Sequence, residues 1–220
     1  LHKFSLDSVL SDEMYLPGTS VTLVDTLLLV YYGFLNDSIA IGKAIEPFSG
    51  SPFVTMAMTK LNINSGEIRR FGYENPKVEG RLSNSCFALS SADGIYVNCY
   101  RYKDLMTVCD LKGNLKYNVY GPGWDDPEKD DNAYFEGAII YDKKIFSAYH
   151  GSSRIVVEGN IQRGAGPKCI LVFGLDGSYK KTIETGSEIW SFCIDEKNNR
   201  IIAYFNDRAE PLGYFDIPVE

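Results

Sequence analysis

Histidine is nearly absent from this chain: His2 and His150 are the only two in 220 residues. With His2 at the terminus, a two-histidine metal site or a Ser-His-Asp relay would have to rest on His150 alone. The run His150-Gly151-Ser152-Ser153-Arg154 puts serines beside that histidine. It carries no G-x-S-x-G elbow and no strand-to-helix setting, so polar loop residues are the plainer reading. Long apolar runs are missing too. The longest candidate, LVDTLLLVYYGFL, is too short for a membrane-spanning helix and reads as a buried strand. No window keeps a helical apolar period. Positive charge is scarce and scattered, with 22 Lys and Arg against 29 Asp and Glu and a net charge of −7, which argues against a nucleic-acid or anionic-membrane surface. The five cysteines, Cys86, Cys99, Cys109, Cys169 and Cys193, include no C-x-x-C pair, and each falls in an apolar run. They read as small buried hydrophobes with free thiols, the alternative being a bridge between neighbouring strands such as Cys99 with Cys109.

What the sequence does contain is a meander. Between Ser85 and Gly121, CFALSS and GIYVNCYRY are rich in β-branched and aromatic residues and are separated by Asp93-Gly94. Asp-Gly supplies the positive φ that a tight hairpin needs, so the two runs pair antiparallel. LMTVCDL and LKYNVYG follow, split by Lys112-Gly113-Asn114, and form a second hairpin. Four strands joined by tight turns match one propeller blade.

The pattern recurs. Outer hairpins are expected at KLNINSGEIRRFG and LVFGLDGSYKKTIE, and inner pairs at SVTLVDTLLLVYYG, AYFEGAIIYDKKIFSAYHG and IWSFCIDEKNNRIIAYFND, with inner turns near Asp25, Asp93, Asp142 and Asn198. The expectation is therefore an all-β chain, one β-propeller domain over residues 1–220 built of four-stranded antiparallel blades, with about four blades visible and the ring not necessarily whole. Four irregular segments stand out: residues 33–54, 73–84, 121–133 and 150–168. The first is read as a long loop broken by Pro47, Gly50 and Pro52, and such loops carry the binding work of a propeller. The last unit offers three strands, and LHKFSLDSVL at the start has no partner. The expectation is that residues 3–9 pair with residues 212–217 and close the final blade.

Candidate sites follow from this frame. Arg101, Tyr134 and Glu136 fall on or beside inner strands, which line a propeller's channel, and with His150 they form the candidate ligand set. Asp125, Asp126, Glu128, Asp130 and Asp131 could supply the oxygen ligands a calcium ion requires, although their spacing is not that of an EF-hand. The plainer alternative is a solvated acidic loop, and no other cofactor is implied. Fifteen tyrosines with Trp124 and Trp190 could furnish a carbohydrate or protein contact surface, or could be ordinary strand residues. An enzyme of the lyase or hydrolase type would need two or more of Glu136, Asp125, Asp126 and Glu188 to converge in one pocket.

Several stretches carry a resemblance: KFSLDSV at the start, RRFGYENP, VYGPGWDDPE, CILVFGLDGSYKKTIE, and the ending IDEKNNRIIAYFNDRAEPLGYFDIP. They resemble the TolB-like six-bladed propeller proteins, common as secreted or lipid-anchored proteins of Bacteroides-type bacteria. That resemblance implies six blades and no catalytic motif. It also implies an extracytoplasmic location, at the periplasm or cell surface of a Gram-negative bacterium, with any lipid anchor upstream of Leu1. The triplets Asp7-Ser8-Val9, Asp25-Thr26-Leu27 and Asp37-Ser38-Ile39 look like O-glycosylation acceptors of such bacteria. The function expected is a non-enzymatic binding or scaffold propeller that engages a protein or a glycan-related ligand through its loop face or channel mouth.

Overall fold

A computed structural model describes residues 2–16, 19–22, 27–46, 55–126 and 132–217. At the start, β1 (His2–Lys3), helix α1 (Leu6–Ser11) and β2 (Thr19–Ser20) form a small unit in which β1 and β2 pair. The first large sheet is β3 (Leu28–Asn36), β4 (Ile39–Glu46), β5 (Thr55–Asn62) and β6 (Ile68–Arg70), in that spatial order. The second is β7 (Ser85–Ser90), β8 (Ile95–Tyr100), β9 (Leu105–Asp110) and β10 (Leu115–Tyr120). The third begins with β11 (Asn132–Tyr141) and β12 (Lys144–Ser153). A two-stranded ribbon, β13 (Ile155–Glu158) with β14 (Ile161–Gly164), is inserted before the sheet resumes at β15 (Cys169–Gly174) and β16 (Tyr179–Glu184). The last sheet has three strands, β17 (Ile189–Asp195), β18 (Arg200–Phe205) and β19 (Leu212–Asp216). These antiparallel meanders are propeller blades.

Turn chemistry explains the hairpins. Gly94, Gly113 and Gly177 have φ of +70°, +90° and +82° at the expected turns, and Asp142 and Lys143 take +46° and +56° between β11 and β12. Two consecutive positive φ values are what a two-residue turn matching the strand twist demands. Between β17 and β18 the turn closes on Asn199 at φ +49°, with Asp195 accepting from the backbone N–H of Asn198.

The sheets stack in chain order. Ile41 and Met58 of the first sheet meet Tyr96 and Cys109 of the second. Val97, Cys99 and Met106 of the second meet Phe135, Ile145 and Phe173 of the third. Phe146 and Val172 of the third meet Ile201, Ala203 and Phe205 of the last. Each fully buried side chain of this kind contributes about 1.5–3 kcal/mol of burial free energy. Among the described residues no core cluster joins the last sheet to the first, so the sheets form an open arc. On the outward face of the last sheet, Tyr204, Leu212 and Tyr214 remain exposed.

Three expectations need correction. The N-terminal segment does not complete the last blade: β1 pairs with β2, and residues 6–11 are helical. Leu6, Val9 and Leu10 fit a helical spacing as readily as strand alternation, and Ser5 caps the turn by accepting from the Ser8 N–H. The first inner hairpin turns at Asp37-Ser38, not near Asp25, which lies outside the described residues. Residues 33–36 and 39–46 are thus strand rather than loop. Asn36 Oδ1 accepts from the N–H groups of Ser38 and Ile39 and sets that turn, while IAIGKAIE hides its period because both its faces are covered. Finally, residues 155–164 of the fourth irregular segment form the β13–β14 ribbon, turned at Gly159 with φ +64°.

All five cysteines are free. Cys99 stands opposite Cys86, whereas Cys109 stands opposite Tyr96 and packs into the cluster on the other face of the sheet, which separates the pair named as a bridge. Cys193 is exposed rather than buried.

Candidate functional site

The innermost strands β3, β7, β11 and β17 succeed one another around the inside of the arc, and two adjoining hollows of about 420 and 560 Å³ open along them. Glu136, Arg154 and Trp190 line both. Tyr31 and Arg101 complete the first hollow, Arg163 and Asp207 the second. One residue or more arrives from each of the four large sheets: Tyr31 from β3, Arg101 from the end of β8, Glu136 from β11, Arg154 from the corner between β12 and β13, and Trp190 from β17.

A bulge aims the central carboxylate. The β11–β12 register shifts between Phe135 and Ala138, so Glu136 and Gly137 together oppose the single residue Ala148, and Gly137 takes φ +128°. A bulge of this kind redirects a side chain out of the strand's alternation. The Gly137 N–H is received by the Cys86 thiol at 2.8 Å, which pins the bulge to β7. That thiol is buried, and burial pushes its pKa up, so it stays protonated and structural.

Glu136 Oε1 lies 2.9 Å from Arg154 Nε, near enough to pair by charge. The two are not aligned as a hydrogen bond. Glu136 Oε1, Arg154 Nε and Arg101 Nε are all buried polar atoms without a hydrogen-bond partner. Burial opposes the charge on Arg101, but the Glu136 carboxylate, and the Cys86 thiol after it, hold its pKa above the ordinary arginine value. In the second hollow the bonding is complete: Arg163 Nη1 reaches both oxygens of Glu188 at 3.0 Å, and Glu188, 1% exposed, also accepts from the Gly166 N–H. Asp207 supports this pair by accepting from the Glu188 N–H. Trp190 is 64% exposed, an aromatic face left open beside these charges.

The structure brings together two of the four expected ligand residues, Arg101 and Glu136. Tyr134 is buried at 3% exposure, with its hydroxyl near the Gly123 carbonyl and its ring against Tyr149, so it braces the wall and does not line the hollow. His150 is occupied on both ring nitrogens, by Ser152 Oγ and by the Ala165 carbonyl, each at 3.0 Å, and fastens the ribbon to β12. Of the expected calcium ligands, Asp125 is exposed at 3.9 Å from Lys77 Nζ, with Asp126 beside it, while Glu128, Asp130 and Asp131 lie outside the described residues. Among the described residues no three carboxylate, histidine or cysteine groups gather as a metal site. The enzyme reading required two or more of four carboxylates in one pocket: Glu136 lines both hollows, while Glu188, paired with Arg163, and Asp125 and Asp126 line neither.

Sequence reasoning had not picked out Arg154 or Arg163. A glycine inside a strand pattern, Phe135-Glu136-Gly137, was the available signal for the bulge, and Gly159-Asn160 was the signal for the ribbon that carries Arg163.

No protein-family model matches the chain, and no curated protein matches it. Solved structures do. A chain of Kuenenia stuttgartiensis hydrazine synthase superposes with a TM-score of 0.55 at 13% identity, over 92% of this chain and 49% of that one. A gluconolactonase from Xanthomonas campestris gives a TM-score of 0.46 at 13% identity, over 86% and 54%. A member of the DUF4221 family from Bacteroides vulgatus gives 0.42 at 11% identity, over 86% and 57%. The fold is shared with the first of these at a similarity that speaks to architecture alone. This chain spans about half the length of the structures it matches. Among the described residues no helix is long and apolar enough to cross a membrane.

Proposed function

We propose that this propeller is a non-enzymatic binding module of the bacterial cell envelope, of the TolB-like kind, whose ligand is glycan-related and sits in the double hollow along the innermost strands. The observation that carries the reading is the buried Nε of Arg101, without a hydrogen-bond partner, set with the Glu136–Arg154 ion pair beside the exposed ring of Trp190. Buried polar atoms left unbonded each cost about 1–3 kcal/mol, and a ligand rich in hydroxyl and carboxylate oxygens would satisfy them. A sugar ring also presents an apolar face that stacks on an exposed indole. Glu136, which lines both hollows, already has an arginine partner, which favours holding a ligand over proton transfer.

The test is a tryptophan-fluorescence titration of the purified protein against a panel of neutral and acidic mono- and oligosaccharides. Binding that is present in the parent and lost in Trp190→Ala, while Trp124→Phe retains it, is the expected result. No response to any saccharide, or a response unchanged in Trp190→Ala, would overturn the reading.

A further inference from the structure

The charges in the first hollow are not balanced, whereas the second adds the Asp207 carboxylate to its lining. Glu136 is matched with Arg154, and Glu188 with Arg163. Arg101 is left over: among the described residues no carboxylate lies within ion-pair distance of it, and its Nε is buried without a hydrogen-bond partner. The carboxylate that acts on it most strongly, Glu136, is already shared with Arg154. The first hollow therefore holds two guanidinium groups against one carboxylate, inside a protein whose net charge is −7. A local surplus of one positive charge set in an acidic chain is a site for a monoanion.

We infer that the ligand carries a carboxylate, as a uronic-acid sugar does, and that Arg101 receives it while the sugar ring stacks on Trp190. The inference rests on the saccharide reading above. A carboxylate fits better than a phosphate for two reasons. The surplus is one charge, whereas a phosphate monoester brings about 1.5 to 2 near pH 7. The planar guanidinium fork also matches a planar carboxylate through two parallel N–H···O bonds. Arg154 sits beside Arg101 in the same hollow and extends the donor set toward the ring hydroxyls, and Glu136 Oε1 offers the acceptor that a sugar hydroxyl needs. Tyr31, 38% exposed on the opposite wall, closes the first hollow from the side of the first sheet.

The experiment is calorimetric titration of the full chain with three uronates, glucuronate, galacturonate and mannuronate, beside their neutral counterparts glucose, galactose and mannose. It is repeated with Arg101→Gln and Arg101→Lys. The expected result is that at least one uronate binds about tenfold or more tighter than its neutral sugar, as loss of one charge-assisted contact predicts. That preference disappears in Arg101→Gln, partly returns in Arg101→Lys, and weakens with added salt. Equal binding of acid and neutral sugar would overturn the inference while leaving the saccharide reading in place. A uronate preference that survives in Arg101→Gln would overturn the role of Arg101. Binding of neither class would overturn the saccharide reading itself. Unchanged circular dichroism and melting temperature identify variants that remain folded, and Arg101→Lys keeps the test informative if Arg101→Gln does not fold.

Discussion

Replacing Lys43 should stabilise this protein, by an amount that depends on pH. Lys43 lies on β4, 1% exposed, with its ammonium 5.9 Å from the centre of the Tyr100 ring on the second sheet. Burial pulls its pKa from 10.5 down to about 8, against the opposing pull of the Glu74 carboxylate. The folded value lies below the unfolded one, so between those two pH values the unfolded chain binds more protons than the folded chain. Stability therefore rises with pH from about 8 to about 10.5. The displacement corresponds to about 3 kcal/mol at 1.36 kcal/mol per pKa unit. Lys43→Met keeps the apolar stem and removes the ammonium. It is expected to be more stable than the parent by about 3 kcal/mol near pH 7, with the gap closing as pH approaches about 10.5. Tyrosines that ionise near the top of this range are common to both proteins and cancel in the difference. Urea unfolding of the pair, in unit steps from about pH 7 to about pH 10, reads the effect directly. A stability difference that stays constant across the series would refute the reasoning, as would a parent more stable than the variant at neutral pH.

Packing and turns give two more expectations. Phe146, 1% exposed between the third and last sheets, should cost about 3–5 kcal/mol on truncation to alanine, measured by denaturant midpoint, because a stacked sheet pair cannot collapse onto the void. Two turn glycines should separate cleanly in the same assay. A Cβ at Gly94 meets nothing within 4 Å, so Gly94→Ala should cost about 1–2 kcal/mol for its left-handed φ alone. At Gly113 a Cβ would lie 2.6 Å from the Gly72 Cα, so Gly113→Ala adds a backbone collision and should be clearly worse; equal costs would contradict the close approach.

The outer hairpins were legible in the sequence because each announces itself twice, by a strand-like run and by a turn that only glycine or an Asp-Gly step can make. Ser65-Gly66, Lys112-Gly113 and Asp176-Gly177 all turn where expected. The first inner hairpin was not legible, because Ile39–Glu46 is covered on both faces and its alternation vanishes. The opening residues misled for the opposite reason: LDSVLS supports two periods, and a serine cap decides for the helix. At the site, Arg101 and Glu136 could be named from their places on inner strands. Arg154 and Arg163 could not, since it is the inserted ribbon and the corner before it that carry them inward, and nothing in a local run of residues reports where a ribbon folds back. Tyr134 and His150 show the same limit in reverse, polar residues at promising positions that the fold uses as braces.

The stacking of sheets in strict chain order has a consequence for how strain and disorder spread. Each sheet leans only on the one before and the one after, so the arc behaves as a short one-dimensional array in which coupling passes between nearest neighbours. The middle of that array is the most firmly held: every residue of β8 is buried. At the far end the last sheet keeps one covered face, three strands and an open edge at β19. Cooperativity should therefore decay from the second and third sheets outward, and the double hollow spans this gradient. Glu136 is anchored in the middle of the array, whereas Trp190 belongs to its last described sheet, so occupancy of the hollow would tie that sheet to the centre.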